Sequence, residues 1–480
     1  MYQSATHLAQ QIRTGQCTST EITREHLAQI KKHNPALNAV VILLEAQALK
    51  DAAECDHEAQ QGHFRGPLHG VPMTVKEAFW IKGTPSTVNS KRNKDWIAPD
   101  DGLAVKRLKR AGAVIMGKTN VPLNLVDYQT AGELYPEGKN PYDTERTPGG
   151  SSGGSAAALA SGMTPIELGG DLGGSVRVPA HFCGVYGLKP TENTVPTQGM
   201  GPLPNDSKGY ISHLASAGPL ARTLEDLELV WQIIRGSDEN ERSVPRIEWH
   251  DPAGKSLSDY RIAWVDAWPD FEPSIETRSV IRNFVDGLTE RGAQADHAAP
   301  EGDLHSRTLA LFVRLFPQVV FQGVPAFFLP LLKMQMQRGL LSGFGKYQRE
   351  FDQGIKLGYN NYIETMTMRH ALTGEWERFF DRYDVLVCPM SFGPAFKRCK
   401  IGTPIPAGAQ TMPYNNYVWP YVACFNASGH PAMNIPLGLG HDGLPIGVQI
   451  VGPYWSEPDL LQFARLISTF APGFVAPQGA

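Results

Sequence analysis

The sequence has no C-x-x-C pair, no H-E-x-x-H, no long apolar run and no surplus of basic charge. Each absence removes a class of function. The six cysteines, Cys17, Cys55, Cys183, Cys388, Cys399 and Cys424, are scattered, so neither a disulfide framework nor a zinc knuckle is implied. Without H-E-x-x-H, the commonest zinc-hydrolase signature is missing. A membrane-spanning helix needs a run of about 18 apolar residues or more, and none is present. The formal net charge is −4, so neither nucleic acid nor an anionic membrane surface is implied as a partner. The opening residues MYQSATHLAQQ are amphipathic and lack the apolar centre of a signal peptide. Repeats, low-complexity tracts and a clear linker are missing too. These absences together predict a soluble, cytoplasmic chain folded as one domain.

What is there is a chain of 480 residues, 42% apolar and 19% charged, able to bury a large core. Residues 4–14 and 20–33 read as helices, with Thr18 and Glu21 at capping-box spacing and Asn34–Pro35 as a stop. Leu37–Leu43 reads as a strand, and Glu45–Gln61 as a helix. Val71–Val75 is a buried-strand pattern that ends at Lys76, and lysine is rarely buried without purpose. Glu77 is a local ion-pair candidate for it. Asp101–Ala111 reads as a helix and Ala113–Met116 as a strand. Asn193–Ser216 reads as a long loop. A helix follows Thr223, a strand is expected at Arg261–Val265, and another helix near 274–291. Residues 303–380 are mostly helical in pattern. Their Phe312, Phe316, Phe321, Phe327 and Phe328 are read as helix core, with a pocket wall as the alternative. Asp384–Cys388, Ala432–Pro436 and Ile446–Val451 close the strand set, and Glu457–Thr469 is the last helix. Strands alternate with helices throughout, which predicts an α/β fold with a large mixed, twisted sheet covered by helices on both faces.

The densest chemistry lies between Gly149 and Arg177. Two glycine–serine clusters, Gly149–Ser155 and Gly169–Ser175, flank a small-residue helix and a strand-like Thr164–Leu168. Glycine leaves main-chain N–H groups uncovered, as an oxyanion site requires, and serine adds a nucleophile. A flexible linker would lack the apolar insert. Two familiar motifs are rejected. Gly112–Thr119 matches G-x-x-x-x-G-K-[ST], but its four middle residues are strand-like where a phosphate loop must be. G-x-S-x-G occurs on Ser151 and Ser152, but KNPYDTERTP before it is no buried strand, as a nucleophile elbow demands. His430 and His441 are the late histidines such an enzyme would call on.

The three unusual features, Lys76 and the two clusters, come together in a resemblance. GGSSGGSAAALASG followed by GGDLGGSVRVPAHFCGVYGLKPT resembles the signature of the amidase signature family. VPMTVKEAF, AGAVIMGKTN and the late ASGHPAMNIPLG with GLPIGVQIVGP resemble its flanking segments. The similarity is good over residues 5–235, moderate over 380–470 and poor over 240–375. It implies one amidase domain over residues 1–480, with a divergent, mostly helical substrate-side segment at about 240–380. It implies a Ser–Ser–Lys triad: Lys76 as base, Ser151 as bridging serine behind a cis Gly150–Ser151 peptide, and Ser175 as nucleophile. The main-chain N–H groups of Leu172, Gly173, Gly174 and Ser175 would form the oxyanion hole. Asp171 and Arg177 would brace the loop. Where the family often carries Thr before that aspartate, this chain has Gly170.

The chemistry is self-consistent. A serine hydroxyl needs a base, and lysine can be one only when burial keeps it neutral. A serine between them both donates and accepts, so it can relay the proton. The resemblance therefore implies hydrolysis of a small-molecule carboxylic amide through an acyl-enzyme, with no metal and no organic cofactor, and leaves a homodimer open. Two other readings stand beside it: a glutaminase subunit of a tRNA-dependent amidotransferase, and a degenerate member acting as a binding or scaffold protein. By resemblance, the glutaminases use an acid upstream of N-x-x-G-x-P, which here falls near Trp419. Tyr417-Val418-Trp419-Pro420-Tyr421 holds no acid, so Trp419 and Tyr417 are expected to wall an apolar pocket.

Overall fold

A computed structural model describes residues 2–201, 213–237, 244–321, 324, 326–338, 345–356 and 358–478. Its strands, in chain order, are β1 (Val40–Leu43), β2 (Pro72–Lys76), β3 (Val114–Thr119), β4 (Ile166–Asp171), β5 (Tyr186–Lys189), β6 (Ser216–Ala221), β7 (Arg261–Trp264), β8 (Gln294–His297), β9 (Val385–Cys388), β10 (Ile405–Ala407), β11 (Gln410–Met412), β12 (Ala432–Leu439) and β13 (Pro445–Val451). Apart from the β10–β11 hairpin they form one mixed sheet, ordered β1-β3-β2-β4-β6-β5-β12-β13-β9-β7-β8. β2 runs parallel to both β3 and β4, while β6 lies antiparallel between β4 and β5.

Helices cover both faces of this sheet, and the alternation along the strands shows why. In β9, Val385 and Val387 belong to one core cluster, and Leu386 and Cys388 to another. Ile262 and Ala263 divide the same way, as do Ile450 and Val451. Successive side chains of a strand point to opposite faces, so strands apolar at every position need cover on both sides. Helices Leu224–Ile234, Ile275–Thr289 and Glu457–Ile467 bury apolar residues in the first core. Leu304–Val320, Tyr359–Phe380 and Trp419–Ala427 do so in the second. Among the described residues no helix is long and apolar enough to cross a membrane.

Several local expectations shift. Thr18 and Glu21 do form a reciprocal capping box, but the helix Ser19–Leu37 runs through Pro35. Proline this near a C-terminus removes a single intrahelical bond. Asn38 in the left-handed conformation then ends the helix, while the Asn34 side chain clamps Val40 at both N–H and C=O. β1 therefore starts at Val40, later than the pattern suggested. Strand β6, S-A-G-P-L-A, is additional and starts at Ser216, the last residue of the stretch read as loop, of which residues 202–212 lie outside the described residues. Edge strand β8 and the helix Trp419–Ala427 are also additional. Phe312, Phe316 and Phe321 are buried as expected, but Phe327 and Phe328 are exposed. The Gly112–Thr119 match is mostly strand β3, and Lys118 donates to Ser86 Oγ at 2.6 Å.

Candidate active site

The site is assembled where β2 and β4 lie side by side in parallel. Val75 pairs with Leu168, so Lys76 emerges beside the glycines at the end of β4. Against expectation, β4 does not stop at Leu168. It continues through Gly169 and Gly170 to Asp171. The Gly170 carbonyl thereby accepts a hydrogen bond from Lys76 Nζ at 3.0 Å. A Cβ on Gly170 would meet Met200 Sδ at 2.8 Å, so the space a family threonine would occupy is held by methionine.

Ser151 arrives from the opposite side, two residues before the helix Gly153–Ala160. Its approach is held by main-chain capture. Thr130 Oγ1 donates to Gly149 O at 2.8 Å, and Ser152 N donates to Ser175 O at 3.1 Å, tying the two glycine–serine clusters together. The Gly150–Ser151 peptide is cis. A Cβ on Gly150 would lie 2.2 Å from Asp127 O, so only glycine fits there. Ser151 Oγ sits 2.7 Å from Lys76 Nζ. Glu77, the local ion-pair candidate, faces away and accepts from Thr87 and Val88 N–H groups instead.

Lys76 is 2% exposed and Ser151 2%, against 8% for Ser175. The serine of the second cluster is thus the member of the set most open to the cavity. Burial pushes the Lys76 ammonium down to about 7, and the Asp171 charge opposes that shift. A neutral amine has two N–H donors and one lone pair. Gly170 O takes one donor, and the lone pair is left for the Ser151 hydroxyl.

The turn carrying Ser175 is braced by a fully buried ion pair. Arg177 donates to Asp171 through Nη2 at 2.9 Å and Nε at 3.0 Å. Burial alone would raise the Asp171 carboxyl, but Arg177 and the Asn426 amide hold it below the usual carboxylate range. Asp171 Oδ1 also accepts Gly174 N–H at 2.8 Å, and Oδ2 accepts Val176 N–H at 3.1 Å. Gly174, one of the residues expected to offer an oxyanion donor, thus spends its N–H on the brace. The N–H groups of Leu172, Gly173 and Ser175 have no acceptor among the described residues. Gly174 has φ +103°, and a Cβ there would meet Val422 at 2.5 Å.

These groups share a cavity of about 170 Å³. Lys76, Ser151, Ser175, Leu172 and Gly173 line it, with apolar walls from Leu125, Val126, Met200, Phe316, Val319, Val320 and Trp419. Of the two expected wall residues, Trp419 is there, packed against Phe312 and Phe316. Tyr417 is not. It packs on Phe392 and Phe396, and its hydroxyl donates to Pro394 O at 2.7 Å. The short helical turn Tyr414–Tyr417 ends before the helix that carries Trp419, so the two side chains diverge. Sequence reasoning missed Tyr128, whose hydroxyl donates to Gly173 O at 2.9 Å and orients the second cluster. It also missed Asp127, a carboxylate in the cavity wall, and the Arg177 acceptors Val422 O, Gln449 and Asn426. A lone Asp-Tyr in a polar loop and an Asn and Gln in late segments carry no local signal. Among the described residues no cluster of His, Cys, Asp and Glu has the makings of a metal site.

The family profile described as Amidase matches residues 21–461. A glutamyl-tRNA(Gln) amidotransferase subunit from Methylococcus capsulatus is 31% identical over 485 residues, covering 93% of each chain. A chain solved in a vestigial protein complex, bearing on the origins of an s-triazine catabolic enzyme, superimposes with a TM-score of 0.81. It is 26% identical and covers 98% of this chain and 100% of its own. The 6-aminohexanoate cyclic dimer hydrolase, solved with its substrate, gives a TM-score of 0.79 at 26% identity and 99% coverage of both chains.

Proposed function

The chain belongs to the amidase signature family, and from that premise we propose that it hydrolyses a carboxylic amide through an acyl-enzyme on Ser175. The observation that carries the reading is the buried Lys76 Nζ at 2.7 Å from Ser151 Oγ, with Ser175 lining the same cavity. Neutral Lys76 takes the Ser151 proton as Ser151 takes the Ser175 proton, and Ser175 Oγ adds to the amide carbon. The oxyanion is received by the N–H groups of Leu172, Gly173 and Ser175, and losing one such donor typically costs about 2.7–4 kcal/mol of barrier. Collapse of the intermediate expels the amine, which collects its proton from Lys76 through Ser151. Water then enters by the same relay and releases the acid. The whole described chain acts as one amidase domain.

The substrate we propose is apolar around its scissile amide, as the cavity walls are. Glutamine fits poorly for a reason different from the one the sequence suggested. An acid for an ammonium exists, in Asp127, but glutamine's carboxylate has no cation. Among the described lining residues Lys76 is the sole basic side chain, and it is engaged with Ser151 and Gly170. A buried unpaired carboxylate is costly. The relatives named as amidotransferase subunits favour the glutaminase reading instead. Efficient glutamine hydrolysis, or co-purification with an amidotransferase partner, would decide for it. For the triad, the experiment is mass spectrometry after fluorophosphonate trapping. The adduct is expected on the peptide containing Ser175; an adduct on Ser151 or Ser152 with Ser175 free overturns the assignment.

A further inference from the structure

Among the described residues Asp127 is the one acidic group of the cavity wall that the triad and its brace leave unused. Asp171, the other acid there, is saturated by Arg177, Asn426 and main-chain N–H groups. The Asp127 carboxyl is divided sharply between its two oxygens. Oδ1 accepts the Tyr414 hydroxyl at 2.6 Å and Tyr128 N–H at 2.7 Å. Tyr414 is fixed in turn by Gln129 Nε2 at 2.9 Å, and Gln129 by Cys399 at its N–H and C=O. Oδ2 is buried and makes no hydrogen bond among the described residues. Bracing the loop thus occupies one oxygen only. Asp127 lines the same cavity as Lys76, Ser151 and Ser175, and its main chain abuts Gly150, immediately before Ser151.

Its chain neighbours Leu125 and Val126 line the cavity with it. No basic side chain pairs with Asp127 among the described residues, since Lys76 is turned to Ser151 and Gly170. A carboxylate without a cation is unfavourable when buried, and burial accordingly shifts Asp127 up to about 7, against the opposing hydrogen bonds from Tyr414 and Tyr128. A ligand cation reverses that balance: an ammonium brings both the missing charge and the missing donor. A neutral alkyl group brings neither.

We infer that Asp127 is a specificity-determining residue whose free oxygen pairs with a primary amine carried by the substrate, making amino-substituted apolar amides the preferred class. This rests on the amidase reading above. It joins two features of the cavity, its apolar walls and an acid that no described cation neutralises. It also excludes α-amino acids, which would bring a carboxylate as well.

The test compares kcat/KM for ω-amino amides, from glycinamide to 6-aminohexanamide, with the alkyl amides in which methyl replaces the amine. Wild type is expected to favour the amino member of at least one pair by tenfold or more, and Asp127→Asn to bring that ratio close to one. Because the ratio is taken within each protein, a general loss of activity cancels. Ratios near one at every chain length in wild type, or a preference that survives in Asp127→Asn, overturn the inference. Should Asp127→Asn not fold, calorimetry on wild type alone decides it: hexylamine must bind at least tenfold more tightly than 1-hexanol, and equal binding overturns the inference. That measurement needs no turnover. A protein that hydrolyses no amide yet prefers hexylamine refutes the amidase proposal and leaves the amine site standing.

Discussion

Replacing Lys76 by methionine should abolish activity and stabilise the protein, and the two effects have one cause. Burial holds the Lys76 ammonium near 7, against its ordinary 10.5. At about 1.36 kcal/mol per pH unit, that difference is roughly 5 kcal/mol against the folded state. The sign follows from the depressed value. Below pH 7 both folded and unfolded chains carry the proton, and the full penalty applies. Between pH 7 and 10.5 only the unfolded chain holds it, so stability rises with pH; above 10.5 the penalty is gone. Methionine removes the charge but also the bonds to Ser151 and Gly170, worth about 1 kcal/mol each. Lys76→Met should therefore gain about 3 kcal/mol at pH 6 and about nothing at pH 9, read from urea unfolding at the two pH values. In parallel, wild-type kcat/KM on a plain alkyl amide should fall about tenfold per unit below pH 7, because only the neutral amine is a base. Asp127 titrates in the same region, so the profile is repeated in Asp127→Asn, and the limb that remains belongs to Lys76. A flat profile from about pH 5.5 to 8.5, a destabilised Lys76→Met at pH 6, or turnover within a few-fold of wild type would refute the neutral-base argument.

Ser151→Ala should lower kcat/KM by orders of magnitude, while Ser152→Ala should stay within a few-fold, since Ser152 Oγ makes only 3.4 Å contacts with Gly170; steady-state kinetics on one amide separates the two, and equal losses would remove Ser151 from the relay. Arg177→Ala leaves Asp171 charged and buried without its partner, which typically costs about 3–5 kcal/mol. A denaturant midpoint within about 1 kcal/mol of wild type would show that the ion pair does not hold the Ser175 turn.

Much of the site was legible because its chemistry is written in short range. Lysine at the end of a fully apolar strand, and glycines beside serines, are unusual whatever surrounds them. That is enough to single out Lys76 and the two clusters; which serines of the clusters are candidates, Ser151 and Ser175, is what the resemblance to the family signature adds. The strands apolar at every position likewise announce a sheet covered on both sides, since only burial of both faces rewards such a pattern. What failed was reading glycine as loop. Gly169 and Gly170 lie in β4, and S-A-G-P-L-A, to which the pattern assigned no element, is β6, because strand pairing in a large sheet overrides the local preference of a glycine or proline. Tyr417 and Trp419 looked equivalent two residues apart, and the turn that ends between them sends one into the cavity and the other against Phe392.

Residue pattern alone thus suffices for the α/β class, the small set of candidate reactive groups and the need for a buried base. Which of those groups meet is a matter of how distant segments pack. The parallel register of β2 and β4 sets Gly170 O against Lys76, and the brace of Asp171 takes up the Gly174 N–H. Asp127, in a loop without local signal, comes into the cavity wall because its main chain packs on Gly150 and its Oδ1 is held by Tyr414, 287 residues away. Hydrogen bonds and burial between segments so far apart depend on how the whole sheet closes its two cores. No local pattern of residue types encodes that closure, which is why the acid in the cavity became visible only with the fold.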